Sequence, residues 1–244
     1  MSADILPLPV FDDPRRVSLD LRDHVRRLII DELLPAGTIL KQAELARAFG
    51  VSRTPMREAF RMLLEEGLID AETNQRARVR ELDPGELDQL YGVRIALESL
   101  GARITAGRVT AREADEAREM LAAMKSAFAQ GDKPAWVDAH RRFHRLCVAR
   151  ADEPLARVIR SYSERTERYV RLHQVLHPNS YAGAQADHEG ILDALLAGDR
   201  DLAGMRMAHH LATTSLTVLR DVSPDASGVT IAEALQMAAR SARS

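Results

Sequence analysis

Cysteine is almost absent. Cys147 is the single one in 244 residues, so no internal disulfide can form and a reducing compartment is expected. Aromatics make up only 4% of the chain, so a large core must be mostly aliphatic, which suits packed helices. No apolar run approaches ~18 residues, so no membrane-spanning helix is expected. The opening stretch, MSADILPLPVFDD, lacks a basic region and a long apolar run. No secretory signal is expected there, and a cytoplasmic location follows. Neither charge dominates: the net charge is −2. A nucleic-acid partner would therefore be held by a local patch and not by a global field. No HExxH and no Ser-His-Asp pattern is present, and the chain does not read as an enzyme.

The most informative stretch is ELARAFGVSRTPMREAFRMLLEEGL, Glu44 to Leu68. Leu45, Ala46, Ala48 and Phe49 give a short amphipathic helix, which Gly50 ends, since glycine tolerates the positive φ of a helix C-terminus. Ser52 offers an N-cap hydroxyl for a second helix. Pro55 sits in its first turn, where a missing N–H costs little. Met56, Phe60, Leu63 and Leu64 recur at helical spacing and face inward. Arg53, Arg57 and Arg61 lie four apart on the other side. Two short helices about a tight turn, the second with a basic face, form a helix-turn-helix. Arg53 and Arg57 occupy the part of such a helix that meets base edges. Ser52 and Thr54 suit phosphate oxygens. The competing reading is a solvated face, with Arg57 or Arg61 paired to Glu58 or Glu65.

Taken in order, residues 1–16 read as a loose arm. Residues 17–82 read as a winged helix-turn-helix: Val17 to Leu33 carry a helical pattern, and Leu68–Ala71 with Ala77–Arg80 form a two-stranded wing. At its tip Gln75 and Arg76 can reach a groove edge or phosphates. Residues 83–85, with Pro84 and Gly85, are the candidate linker. Residues 86–221 read as about six antiparallel helices, and Thr110 with Glu113 makes a capping box. In residues 222–244 the run Ile231–Met237 can form a short helix, but the tail is expected to be weakly ordered. The expected fold is mainly α: a winged helix followed by an all-α bundle.

Histidine is the second signal. His140 and His144 are four apart and share a face with Trp136, Phe143 and Cys147. His188 shares a stripe with Ile191 and Leu195, and His210 with Ala203 and Met207. Three inward stripes can converge in a bundle as metal ligands do, and imidazole suits Zn, Ni, Cu and Fe. The alternative is that each histidine sits in the core, bonded to a neighbour. Arg94 beside an inward stripe needs an anion, which Glu98 or a ligand can supply. His173 lies on a stripe with Thr166 and Tyr169, facing a pocket or the surface. His24, His177 and His209 carry no functional reading.

Three runs bring a known family into view: PAGTIL at Pro35–Leu40, ELARAFGVSRTPMREA at Glu44–Ala59 and LLEEGLI at Leu63–Ile69. They resemble the GntR family of bacterial transcription regulators. The C-terminal half looks like the FCD subfamily, and the resemblance spans roughly Ser18 to Leu219. It implies a homodimeric regulator, a repressor by expectation, that binds a double-stranded operator and answers to a small-molecule effector such as a carboxylate. It also implies a divalent metal. The subfamily's Asp-x3-His pair and two later histidines match here as His140 in the Asp position, then His144, His188 and His210. Four histidines favour Zn or Ni. Arg94, in YGVRIALES, matches an arginine that lines the effector pocket, and His173 is assigned to the same pocket. The chain departs from the family at Lys41, Gln42 and Ala43, where a capping Ser and an Arg are usual. It departs again at Arg76, where the wing tip usually has Gly.

Overall fold

The computed structural model describes residues 6–241 except 12, 14, 75, 82 and 178–180. The chain divides into two compact units, residues 1–82 and 83–244.

The first unit is built from α1 (Val17–Ile30), β1 (Ile39–Lys41), α2 (Gln42–Ala48), α3 (Arg53–Glu65), β2 (Ile69–Glu72) and β3 (Arg76–Val79). Leu21, Val25 and Leu28 recur at helical spacing on α1 and are buried with Met56, Phe60 and Leu63 of α3. Leu64, expected inward, is 37% exposed, because it sits at the edge of the stripe that Met56, Phe60 and Leu63 define. Leu33 is also exposed, since α1 stops at Ile30. Gly50 has φ +68°, as the α2–α3 turn requires. Ser52 has the extended backbone of an N-cap, yet its side chain makes no capping bond.

The sheet has three strands in the order β1-β3-β2, all antiparallel, with Leu40 opposite Ala77 and Ala71 opposite Ala77 on the other side. Sequence pattern anticipated only the hairpin. A three-residue strand is too short to show alternation, and β1 is fixed by pairing with β3. Asn74 takes φ +60° in the hairpin, a conformation asparagine tolerates. The arm expected to be loose is partly docked: Leu6 and Phe11 pack on the core, and His24 Nε2 donates to the Pro7 carbonyl at 2.8 Å.

The second unit contains seven helices among the described residues: α4 (Pro84–Thr105), α5 (Ala111–Gln130), α6 (Lys133–Cys147), α7 (Glu153–Leu176), α8 (Tyr181–Ala197), α9 (Arg200–Val222) and α10 (Val229–Ser241). The expected linker is instead the start of α4. Asp83 accepts from the Gly85 and Glu86 N–H groups, and Pro84 fills the first helical position. The Thr110–Glu113 capping box is formed. α4 is central and packs against α7, α9 and α10. The tail expected to be weakly ordered carries α10, with Ile231 fully buried. The Asp88 carboxylate on α4 accepts from the Thr230 and Ile231 N–H groups, both at 3.0 Å, and so caps α10 from another helix.

Candidate functional site

In the first unit, Ser52, Arg53, Thr54 and Arg57 are all exposed at the N-terminal half of α3, opposite the buried face of Met56 and Phe60. Among the described residues, Arg53 and Arg57 have no ion pair, whereas Arg61 pairs with Glu65 one turn on. Of the pairings that the solvated-face alternative offered, Arg61 with Glu65 is the one formed among the described residues. Arg76 is exposed at the start of β3. Gln75 lies outside the described residues. An exposed helix with free arginines in its first turns, beside a hairpin carrying another, can enter a major groove and grip guanine edges and phosphates.

In the second unit, α6 supplies His140 and His144, α8 supplies His188 and α9 supplies His210. One ring nitrogen from each lies within 4.8 Å of the other three. His188 Nε2 and His210 Nε2 are 3.1 Å apart. His140 stacks on Trp136 with ring centroids 4.6 Å apart. His144 Nδ1 meets Glu98 Oε2 at 3.2 Å, and Glu98 Oε1 accepts from Arg94 Nε at 2.6 Å. Burial disfavours the Glu98 carboxylate, but the Arg94 guanidinium and the His144 hydrogen bond overcome this and hold its pKa at about 2. Burial pushes the His140, His144 and His188 imidazoles below their ordinary range, so all three are neutral at pH 7.

Neutral imidazoles are what a metal ion requires. His144 Nε2 is buried and has no hydrogen-bond partner among the described residues. A core histidine held only for packing would satisfy that atom. Four imidazoles at these separations fit a borderline ion such as Zn²⁺ or Ni²⁺. Asp138 is exposed and bonded to Arg141, outside the cluster.

A cavity of about 160 Å³ opens beside the cluster, bounded by His140, His188 and His210 and reaching Tyr91, Arg94 and His173. A second, of about 340 Å³, lies on the α6–α7 side and also reaches Arg94 and His140. The anion that Arg94 meets is Glu98; the guanidinium also donates to Thr166 Oγ1 at 2.8 Å, and Arg94 lines both cavities. His173 Nδ1 is buried without a hydrogen-bond partner among the described residues, and burial lowers its pKa. His177, read as without function, also lines the smaller cavity and bonds Asp221 at 2.7 Å. Asp187, which meets His210 Nδ1 at 3.5 Å, was not anticipated. Its position next to His188 was the available signal.

A winged helix with free arginines and a separate helical bundle with a histidine-lined cavity make the chain a DNA-binding regulator in two parts. Residues 18–79 match the family described as "Bacterial regulatory proteins, gntR family", and residues 89–213 match the "FCD domain". A "Probable D-xylose utilization operon transcriptional repressor" of Paenarthrobacter nicotinovorans is 32% identical over 197 residues, covering 80% of this chain and 86% of that protein. The HTH-type transcriptional repressor RspR of Escherichia coli strain K12 is 28% identical over 194 residues, covering 80% and 85%. Among solved structures, E. coli McbR/YncC superposes with a TM-score of 0.74 at 21% identity, covering 85% of this chain and 99% of that one. The chain belongs to the GntR family of bacterial regulatory proteins and carries an FCD domain. It is a transcription regulator. Among the described residues no helix is long and apolar enough to cross a membrane.

Proposed function

We propose that the protein is a repressor whose operator affinity is set by a small carboxylate bound in a metal-containing pocket of the second unit. The observation that carries this reading is the inward-facing four-histidine cluster opening on a cavity that also reaches Arg94. His140, His144, His188 and His210 would hold the ion. When bound, the ion supplies a Lewis-acidic position for a carboxylate oxygen. Arg94 then presents guanidinium donors from the cavity wall, and His173 Nδ1 offers a further polar contact. Two relatives carry the word repressor in their names, which favours that sign of control. Two copies of the chain would read two half-sites about one helical turn apart, ~34 Å.

The test is a gel-shift titration of an operator fragment with the parent protein, the chelator-treated protein, and protein reloaded with Zn²⁺ or Ni²⁺, each with and without candidate carboxylates. Emission of Trp136, the only tryptophan, follows loading directly because its ring stacks on His140. We expect about one ion per chain, and operator affinity that changes with carboxylate only in the loaded protein. Carboxylate response in the chelated protein would remove the metal from the mechanism. Response to metal alone would make the ion itself the signal.

A further inference from the structure

We infer that Glu98 is the positioning carboxylate of the histidine cluster: it fixes the tautomer of His144 and thereby points the ring's lone pair at the metal position. The inference rests on the metal-containing pocket proposed for the second unit. Glu98 is 1% exposed, so water does not compete for it. Its Oε1 accepts from Arg94 Nε at 2.6 Å and from Ser163 Oγ at 3.3 Å. A carboxylate paired with a guanidinium is ionised and can only accept hydrogen bonds. His144 Nδ1, 3.2 Å from Oε2, must therefore carry the proton. That leaves Nε2 bare, and Nε2 is the atom found buried without a hydrogen-bond partner among the described residues. One contact thus explains both nitrogens of the ring.

The cluster contains its own control. His210 Nδ1 also meets a carboxylate, Asp187, but at 3.5 Å, and the Asp187 side chain is 49% exposed. Water can take over the role of Asp187 and cannot take over that of Glu98. Outer-shell partners of metal-binding histidines typically contribute about 10–100-fold in affinity, and the larger share here belongs to Glu98.

The experiment measures Zn²⁺ affinity of the full chain by competition with a chromophoric chelator, together with the histidine tautomers of the metal-free parent by long-range ¹H–¹⁵N NMR. Glu98→Gln keeps an acceptor and removes the charge. Because it leaves Arg94 buried without its partner, the double variant Arg94→Met/Glu98→Leu is made beside it, removing both charges at similar volume. Circular dichroism confirms folding of each. We expect His144 to be the Nδ1–H tautomer. Affinity should fall by about 10–100-fold in the double variant, with Glu98→Gln in between, and fall less in Asp187→Asn. A His144 with its proton on Nε2, or folded variants that bind Zn²⁺ as tightly as the parent, would overturn the assignment of Glu98 while leaving the metal reading in place. Absence of Zn²⁺ binding by the parent chain would overturn both.

Discussion

Arg57 and Arg61 are one helical turn apart on α3 and chemically identical, yet their surroundings differ. Arg61 spends its guanidinium on Glu65, and Arg57 has no such partner among the described residues. Free arginines gripping guanine O6 and N7 contribute roughly 1–3 kcal/mol of discrimination each. Arg57→Ala should therefore lower affinity for the specific operator by about 10–100-fold and relax its sequence preference. Arg61→Ala should change affinity far less, since an exposed i,i+4 pair contributes only about 0.3–0.5 kcal/mol. Fluorescence anisotropy on matched specific and scrambled duplexes distinguishes the two. Equal losses for both variants on both duplexes would reduce the stripe to phosphate contacts.

At the scale of elements, α10 is received by residues of α4, far away in the sequence. Its first N–H groups are capped by Asp88 of α4, and its backbone lies close over Gly92. A Cβ at position 92 would sit 2.5 Å from Thr230 Cγ2 and 3.0 Å from the Thr230 carbonyl carbon. The helix must then move, because backbone cannot yield as a side-chain tip can. Gly92→Ala is expected to destabilise the second unit by about 1–3 kcal/mol, as overpacked sites do. Hydrogen exchange should report the loss first at the Thr230 and Ile231 amides. Unchanged protection there would mean that α10 is held by its buried Ile231 face alone.

Over the whole molecule, acid sensitivity follows from the buried histidines. His140, His144 and His188 all have folded-state pKa values below the unfolded value of 6.5. Above that pH they are neutral in both states and contribute no pH dependence. Below it the unfolded chain takes up protons that the folded chain refuses, so stability falls as pH falls. Each such group costs up to ~1.4 kcal/mol per pH unit. Glu98 works in a lower window. Its folded pKa of about 2 lies below the unfolded 4.5, so its contribution is present above 4.5 and lost towards 2. Urea titrations of the chelated protein, followed by Trp136 emission, should give a flat midpoint from pH 8 to about 7 and a steep decline towards about 5.5. Bound metal should raise stability at neutral pH, by about 2.7 kcal/mol at a free concentration 100 times its Kd. It should also steepen the acid loss, since protons and metal compete for the same nitrogens.

The sequence by itself determined what is local. The helix-turn-helix stands out in α2 and α3 because a glycine turn, a proline in the first turn and a repeat of apolar residues are all short-range devices. The capping box at Thr110 is legible for the same reason. Periodicity also put His140, His144, His188 and His210 on inward faces. Only the tertiary structure decided that those faces bring one nitrogen from each ring within 4.8 Å of the other three. The pairing of Arg94 with Glu98, four residues on, is legible as an option in the sequence, but only the tertiary structure brings Glu98 to His144, forty-six residues away. β1, too short to alternate, exists because β3 pairs with it. α10, which the sequence left as a weak tail, is ordered because Asp88 and Gly92 of a distant helix receive it. Local pattern fixes an element when its determinants lie within a few turns of one another. Contacts that close long loops are settled only when the whole core is assembled, because the gain that offsets their loop entropy comes from packing and not from the segment itself.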